Sequence, residues 1–99
     1  MKQFTAGDLL QVIVNEHGWS LCCARAGKDK FLSECPAERY DSFYDPPFRL
    51  TKDALEGKLA LVVQVKTNKL NQPLTYELQI GEKKYFCKAI LAQKYLLKV

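Results

Sequence analysis

The sequence predicts a mostly β domain, and the clearest evidence is the alternation of residue types in its second half. Leu or Val occupies every second position from Leu59 to Val65, and apolar residues again occupy every second position from Leu74 to Ile80. A β-strand points successive side chains to opposite faces, so a period of two places one apolar row on a core. We therefore expect two strands here, with one inward-facing row formed by Leu59, Leu61, Val63 and Val65.

The other elements follow from β-branched and aliphatic runs that are bounded by turn residues. Residues 9–14 predict a first strand, residues 19–24 a second strand with Trp19 in the core, and residues 30–33 a short third strand. The remaining expectations are strands over 59–66, 74–80, 83–88 and 95–99, a two-residue hairpin turn at 81–82 and a short 3₁₀ turn over 90–94.

Residues 34–56 are expected to form an irregular insertion. Pro36, Pro46 and Pro47 interrupt the segment, and proline lacks the amide hydrogen that a sheet ladder needs. Four aromatic side chains in this segment favour an ordered excursion packed on the domain. Residues 51–57 predict one helical turn that ends at Gly57.

Composition indicates a single domain spanning residues 1–99. Apolar residues make up 47% of the chain, which is typical of a globular protein. No apolar run approaches the roughly 20 residues that cross a bilayer, and the first residues lack a signal-peptide pattern. We therefore expect a cytoplasmic protein without a membrane partner. The net charge of +4 is dispersed along the chain and permits an acidic partner.

Residues with catalytic or metal-binding chemistry are isolated in the sequence. The only histidine, His17, falls in a predicted turn, and the four cysteines lack paired metal-ligand spacing. Cys35, close to Arg39 in sequence, is the one cysteine worth testing as a nucleophile. We expect four reduced, mostly buried cysteines; a zinc site shared by the cysteines and His17 is the alternative. The chain is thus predicted to be no enzyme, with no catalytic residues, metal or cofactor.

The predicted order is strand, long excursion, strand, hairpin, helical turn and final strand. Four sequence segments support this order. They are Gly-Asp-Leu-Leu-Gln-Val at 7–12, Leu-Glu-Gly-Lys-Leu-Ala-Leu-Val-Val at 55–63, Tyr-Glu-Leu-Gln-Ile-Gly at 76–81 and the closing residues 90–99. Over residues 7–14 and 55–99 the chain resembles SH3-like small β-barrel proteins. The resemblance implies a barrel of about five antiparallel strands, here with an inserted hairpin and a long aromatic loop. It also implies a phage or mobile-element accessory protein, an RNA-associated module or an accessory subunit of a redox complex.

The aromatic loop is the predicted contact surface for a partner. Its aromatic density comes without strand or helix periodicity, and aromatic-lined grooves take extended, proline-rich peptides. Our first hypothesis is a protein–protein adaptor that binds another protein or peptide through Tyr40, Phe43, Tyr44, Phe48 and Arg49. The alternative for these side chains is packing against the domain.

Nucleic-acid binding is the rival hypothesis. Basic side chains at predicted hairpin ends would contact phosphates: Arg25, Lys28, Lys30, Lys83, Lys84 and Lys88. Tyr76, Tyr85 and Phe86 would offer rings for base stacking. Lysines at hairpin ends also protect strand edges from pairing, so solubility is the competing explanation.

Overall fold

The structure, a computed structural model, describes residues 3–24, 31–37 and 52–99. These ranges contain eight strands and one short helix, so the prediction of a mostly β protein is confirmed. In chain order the elements are β1 (Leu9–Val12), β2 (Trp19–Ala24), β3 (Leu32–Pro36), β4 (Lys52–Ala54), β5 (Leu59–Thr67), β6 (Pro73–Ile80), β7 (Lys83–Lys88), α1 (Ala89–Tyr95) and β8 (Leu96–Lys98).

Five strands form one antiparallel sheet in the order β7-β6-β5-β1-β8. β6 turns into β7 through Gly81 and Glu82, and the φ of +63° at Gly81 suits the first position of a primed hairpin turn. The helix α1 connects β7 to β8, at the place where the sequence predicts a 3₁₀ turn. β1 pairs with β5 on one side and with β8 on the other, so the first and last strands of the chain lie side by side.

The other three strands form a second antiparallel sheet in the order β3-β2-β4. The helical turn predicted for residues 51–57 is wrong over Lys52–Ala54, because this segment pairs with β2 and completes the second edge of that central strand. β3 continues to Pro36, inside the segment expected to be irregular. It can do so because it is an edge strand, where a missing amide hydrogen costs no ladder bond. Residues 38–51 of the predicted insertion lie outside the described residues.

One hydrophobic core lies between the two sheets. Its buried residues come from the inner face of the five-stranded sheet, from α1 and from the second sheet, which contributes Leu21, Cys23 and Leu32. Tyr76 is fully buried, and its ring meets the ring of Phe4 edge-on at a centroid distance of 5.7 Å. The Phe4 amide N–H also donates to the Tyr76 hydroxyl at 3.3 Å, so the buried phenol has a polar partner.

The inward-facing row of β5 differs from the predicted one. Ala60 and Val62 are buried, whereas Leu59 is 51% and Leu61 is 41% exposed. The register against β6 shifts at Val63, which marks a β-bulge. A bulge inserts one residue and so inverts which side chains face the core. The two leucines precede the bulge and face outward, so the predicted row is wrong for them. Val63 and Val65, at and after the bulge, are half-buried.

Trp19 is also placed differently from the prediction. It is 40% exposed, so its predicted core position is wrong. Trp19 is the first residue of β2 and pairs with Pro36 at the end of the second sheet. Its backbone N–H donates to Asn15 Oδ1 at 2.9 Å, which fixes it at the end of the turn rather than under the sheet.

Candidate functional site

The cysteines are placed as buried thiols: Cys22, Cys23, Cys35 and Cys87. Burial raises the pKa of Cys87 to about 12, and a thiol with such a pKa stays protonated and is a poor nucleophile. Cys35, the cysteine singled out by its sequence position near Arg39, lies in β3 without exposed surface. Cys23 faces the core cluster and Cys22 does not, as expected for neighbours in a strand.

His17 lies on the surface, with its Nε2 atom 3.3 Å from Glu16 Oε1. Within residues 3–24, 31–37 and 52–99, no three His, Cys, Asp or Glu side chains are grouped so that they could hold a metal ion. In the same ranges, no helix has the length and apolar character needed to span a membrane.

Five exposed aliphatic side chains lie together on the outer face of the five-stranded sheet. They are Leu9, Leu59, Leu61, Leu97 and Val99, which we call the aliphatic patch, and each is between 41% and 74% exposed. Isolated apolar side chains are ordinary on a protein surface. A contiguous group on adjacent strands is a candidate contact site, because the largest apolar patch of a protein surface is often functional.

Strand pairing sets the members of the aliphatic patch side by side. Leu9 in β1 lies directly opposite Leu61 in β5, and the Val99 amide N–H donates to the Leu9 carbonyl at 3.0 Å. In the next row Gln11 separates the other two leucines of the patch. Directly opposite residues have Cβ atoms about 4.5–5.5 Å apart, so the row that contains Leu9 is continuous across the strands. Leu59 and Leu97 each extend this row along their own strand, on either side of Gln11.

The patch arises because the strands that carry it are apolar on both faces. Leu10 and Val12 point into the core from β1, which forces Leu9 outward. Leu96 is buried in β8, and its neighbour Leu97 is exposed for the same reason. The second sheet covers only the inner face, so the outer apolar row has no cover within the described residues.

Asp8, the residue before β1, forms an ion pair with Lys98 of the last strand. Its carboxylate accepts a hydrogen bond from the Thr5 backbone N–H at 2.8 Å and lies 3.5 Å from Lys98 Nζ. The Thr5 hydrogen bond, with the Lys98 charge, holds the pKa of Asp8 below its usual value. β8 is thus joined to the start of β1 by an ion pair as well as by its ladder.

The other half of the same face carries basic and aromatic side chains around one acidic residue, Glu77, which lies directly opposite Phe86. Phe86 lies between Lys84 and Lys88 at the three outward-facing positions of β7. The Nζ atom of Lys66 is 5.4 Å from the Phe86 ring centroid. The ring centroids of Phe31 and Phe86 are also 5.4 Å apart, and the two rings are inclined at 35°. We call these five residues the basic–aromatic patch. A cation over a ring is attracted by the ring's quadrupole, so Lys66 is held at the aromatic pair.

The predicted nucleic-acid residues of β7 lie on different faces of that strand. Lys84 and Lys88 both belong to the basic–aromatic patch, whereas Lys83 alternates to the other side of β7. The prediction that Tyr76 and Tyr85 offer stacking rings is wrong, because both are buried in the core between the sheets.

Several predicted site residues lie outside the described residues. These are the basic residues of the first hairpin, Arg25, Lys28 and Lys30, and the whole predicted protein-binding set, Tyr40, Phe43, Tyr44, Phe48 and Arg49. Their roles stay predictions.

The aliphatic patch was missed by sequence reasoning, although a signal for it is present. Leu9-Leu10 and Leu96-Leu97 are consecutive apolar pairs within short strands. Because neighbours in a strand point to opposite faces, one member of each pair must face away from the core. Two such pairs on adjacent strands therefore predict an apolar outer face.

Comparison with known proteins adds no relative that could assign a role to these residues. No family model, curated protein or solved structure matches the chain.

Proposed function

We propose that this protein is a non-enzymatic binding module that docks onto another protein through the aliphatic patch. The observation that carries the proposal is the presence of five exposed aliphatic side chains, four on three adjacent strands and the fifth, Val99, directly after the last of them. Each square ångström of apolar surface removed from water contributes about 25 cal/mol, so a partner that covers this face gains binding free energy without a conformational change in the sheet.

The charges of the same face specify the partner. The row that starts at Leu9 and Leu61 continues through Gln79 to Lys84, where the basic–aromatic patch begins. A complementary surface has an apolar centre and an acidic flank that lies over Lys84 and Lys88. The partner is therefore a protein with an apolar ridge bordered by carboxylates on one side.

We also propose that the five-stranded sheet is an SH3-like barrel framework with β2 and β3 as the inserted hairpin. Support comes from the element order of β1, the excursion, β5, the β6–β7 hairpin, α1 and β8. Further support comes from the bridge between Phe31 and Phe86, which brings the second sheet to the β7 edge. Fold alone does not identify a function, so the docking proposal stands on the patch.

The docking proposal is tested by comparing two double variants as bait for binding partners. Leu61→Thr/Leu97→Thr removes apolar surface from the patch and introduces threonine, a β-branched residue that suits a strand. Leu70→Thr/Leu74→Thr replaces two more exposed leucines, at 77% and 53%, that lie outside the patch. We expect the wild type and the second variant to retain the same protein partner, and the first to lose it by about tenfold or more in affinity, roughly 1.4 kcal/mol.

Thermal unfolding of both variants checks that each is folded. If the Leu61→Thr/Leu97→Thr protein retains every partner that the wild type retains, with equal affinity, the aliphatic patch is not the docking face. If the partner's binding region proves to be basic along its flank, the proposed charge complementarity is wrong.

Single-stranded nucleic acid is the second candidate ligand, and the Phe31–Phe86 ring pair among lysines favours it. Bases stack on exposed aromatic rings while lysines contact phosphates. The Lys88→Gln variant should lower the salt dependence of binding by about one phosphate contact, a slope change of roughly 0.7 for single strands. Lys69→Gln, in the β5–β6 loop, is the matched control. Absence of any binding to oligonucleotides at low salt removes this candidate.

The docking surface first inferred from the sequence, Tyr40 to Arg49, stays a separate prediction. The same capture experiment with Tyr44→Ala/Phe48→Ala addresses it. Loss of the partner from this variant, with retention by Leu61→Thr/Leu97→Thr, would assign docking to the loop instead of the sheet.

A further inference from the structure

β5 has nine residues and is longer than β1, the four-residue strand that pairs with one of its edges. The β1–β5 ladder runs from Gln11 opposite Leu59 to Leu9 opposite Leu61. The last backbone bonds on this side are at Val62, whose N–H donates to the Asp8 carbonyl at 2.9 Å and whose carbonyl accepts from Gly7 at 2.8 Å. β5 then continues to Thr67, paired with β6 alone among the described residues.

The chain before β1 turns away from β5 at this point. The Asp8 amide N–H donates to the Thr5 carbonyl at 3.0 Å, and the Thr5 amide N–H donates to the Asp8 carboxylate at 2.8 Å. Phe4 is then drawn under the sheet, where it packs on Tyr76. The edge of β5 from Gln64 to Thr67 is therefore left without a neighbouring strand in the part of the chain that the structure describes.

A cleft of about 400 Å³ lies along this open edge. One wall is formed by Val63, Gln64, Val65 and Thr67 of β5, and the other wall is the chain from Gln3 to Ala6. Asn71 and Pro73 also line the cleft. The volume lies within the roughly 300–1,000 Å³ range of ligand sites. None of the described side chains that line the cleft is charged, so a charged group placed inside it would lose hydration without an ionic partner.

The shape and the hydrogen-bonding groups of the cleft define its occupant. An open strand edge presents alternate backbone N–H and C=O groups in a row. A row of four residues spans about 13 Å at 3.3 Å per residue, and another extended backbone matches that spacing group by group. The bulge at Val63 turns Val63 and Val65 into half-buried positions beside the cleft, which favours apolar side chains at alternate positions of the occupant.

We propose that this cleft is a strand-addition site, which binds an extended, uncharged segment of a partner protein by pairing it with Gln64–Thr67. The segment takes the position beside β5 that β1 leaves empty, and it buries alternate apolar side chains between β5 and the chain from Gln3 to Ala6. This mode of recognition supplies affinity through main-chain hydrogen bonds and specificity through alternate side chains. The site is separate from the aliphatic patch and does not depend on docking there.

Hydrogen exchange of the free protein is the first test. The Val65 and Thr67 amides should exchange rapidly and at rates that are independent of protein concentration, because no strand among the described residues covers this edge of β5. Slow exchange at every concentration would show that the chain itself fills the cleft. Slow exchange only at high concentration would show that a second copy fills it. Either result overturns the proposal.

Binding is tested with peptides selected from a displayed library of random eight-residue sequences. We expect sequences that bind the wild type and the Leu70→Trp control but not Ala6→Trp, in which a large ring fills the cleft. Bound peptide should slow exchange of the Val65 and Thr67 amides. N-methylation at alternate peptide positions should weaken binding by about tenfold or more, and methylation at the positions between should have little effect.

A library that yields no such sequence, or peptides whose sensitivity to N-methylation lacks a period of two, overturns strand addition. The same peptides should bind Leu61→Thr/Leu97→Thr as tightly as the wild type. This comparison separates failure of the cleft from failure of the aliphatic patch, because each variant alters one surface only.

Discussion

Leu61 and Val62 show at the scale of single residues how adjacent side chains of one strand occupy different environments. They are neighbours in β5, yet Val62 is almost fully buried and Leu61 is 41% exposed. Val62 contacts the core between the sheets, whereas Leu61 pairs with Leu9 on the outer face. A change at Val62 is therefore expected to act on folding. A change at Leu61 is expected to act on the docking that we propose.

The buried cysteines give a prediction at the same scale. Cys87 has a pKa raised to about 12 by burial, and all four thiols are buried. A thiol reagent near neutral pH should label none of them rapidly in the folded protein and all four in urea, because the thiolate is the reactive form. Mass spectrometry of the labelled protein measures this. Rapid labelling of Cys35 in the folded state would contradict its placement and revive the nucleophile hypothesis.

Asp8 gives a pH-dependent prediction. Its pKa is lowered by the Thr5 hydrogen bond and the Lys98 charge, so the carboxylate stabilises the fold above the unfolded-state pKa of about 3.9. This contribution is lost as the pH falls through the lower folded-state pKa. Asp8→Asn should therefore lower the thermal midpoint near neutral pH and have a vanishing effect in strong acid. A difference between the two proteins that persists in strong acid would show that the charge is not the cause.

At the scale of elements, the sequence predicts where the strands lie better than it predicts which face of each strand is buried. The period of two locates β5, β6 and β7 within one or two residues. The same period cannot choose a face when both rows are apolar, as in the Leu-Ala-Leu-Val-Val run of β5. The bulge at Val63 depends on pairing with β6, and β4 depends on pairing with β2. Both are tertiary effects that local propensity does not contain.

The β6–β7 turn provides a prediction for one of these elements. Gly81 has a φ of +63°, and a Cβ built there meets no atom within 4 Å. Any cost of Gly81→Ala is therefore conformational rather than steric, and we expect a loss of about 1–2 kcal/mol in the free energy of unfolding. Gly81→Asn should lose less, because asparagine tolerates positive φ. Urea denaturation measures both, and equal stability of the alanine variant and the wild type would contradict the turn geometry.

At the scale of the whole molecule, the two faces of the five-stranded sheet have different surroundings. The inner face packs on the second sheet and on α1, and its residues form one buried cluster. The outer face carries the aliphatic patch beside the basic–aromatic patch. The sequence predicts a small β domain with a binding function. The period-two alternation of apolar residues supports the β fold and carries no information about binding. The consecutive apolar pairs Leu9-Leu10 and Leu96-Leu97 indicate outward-facing side chains, but no local pattern states which strands become neighbours or which side the second sheet covers.

The orientation of β5 underlies the docking proposal, and a matched pair of variants tests it most directly. Urea denaturation of Leu61→Thr and Val62→Thr compares the same introduced residue at adjacent positions. We predict that Leu61→Thr changes the free energy of unfolding by less than about 0.5 kcal/mol. Val62→Thr should lower it by about 1–3 kcal/mol, because a hydroxyl is buried without a partner. A larger loss at Leu61 than at Val62 would place the leucine row in the core and contradict the exposed docking face.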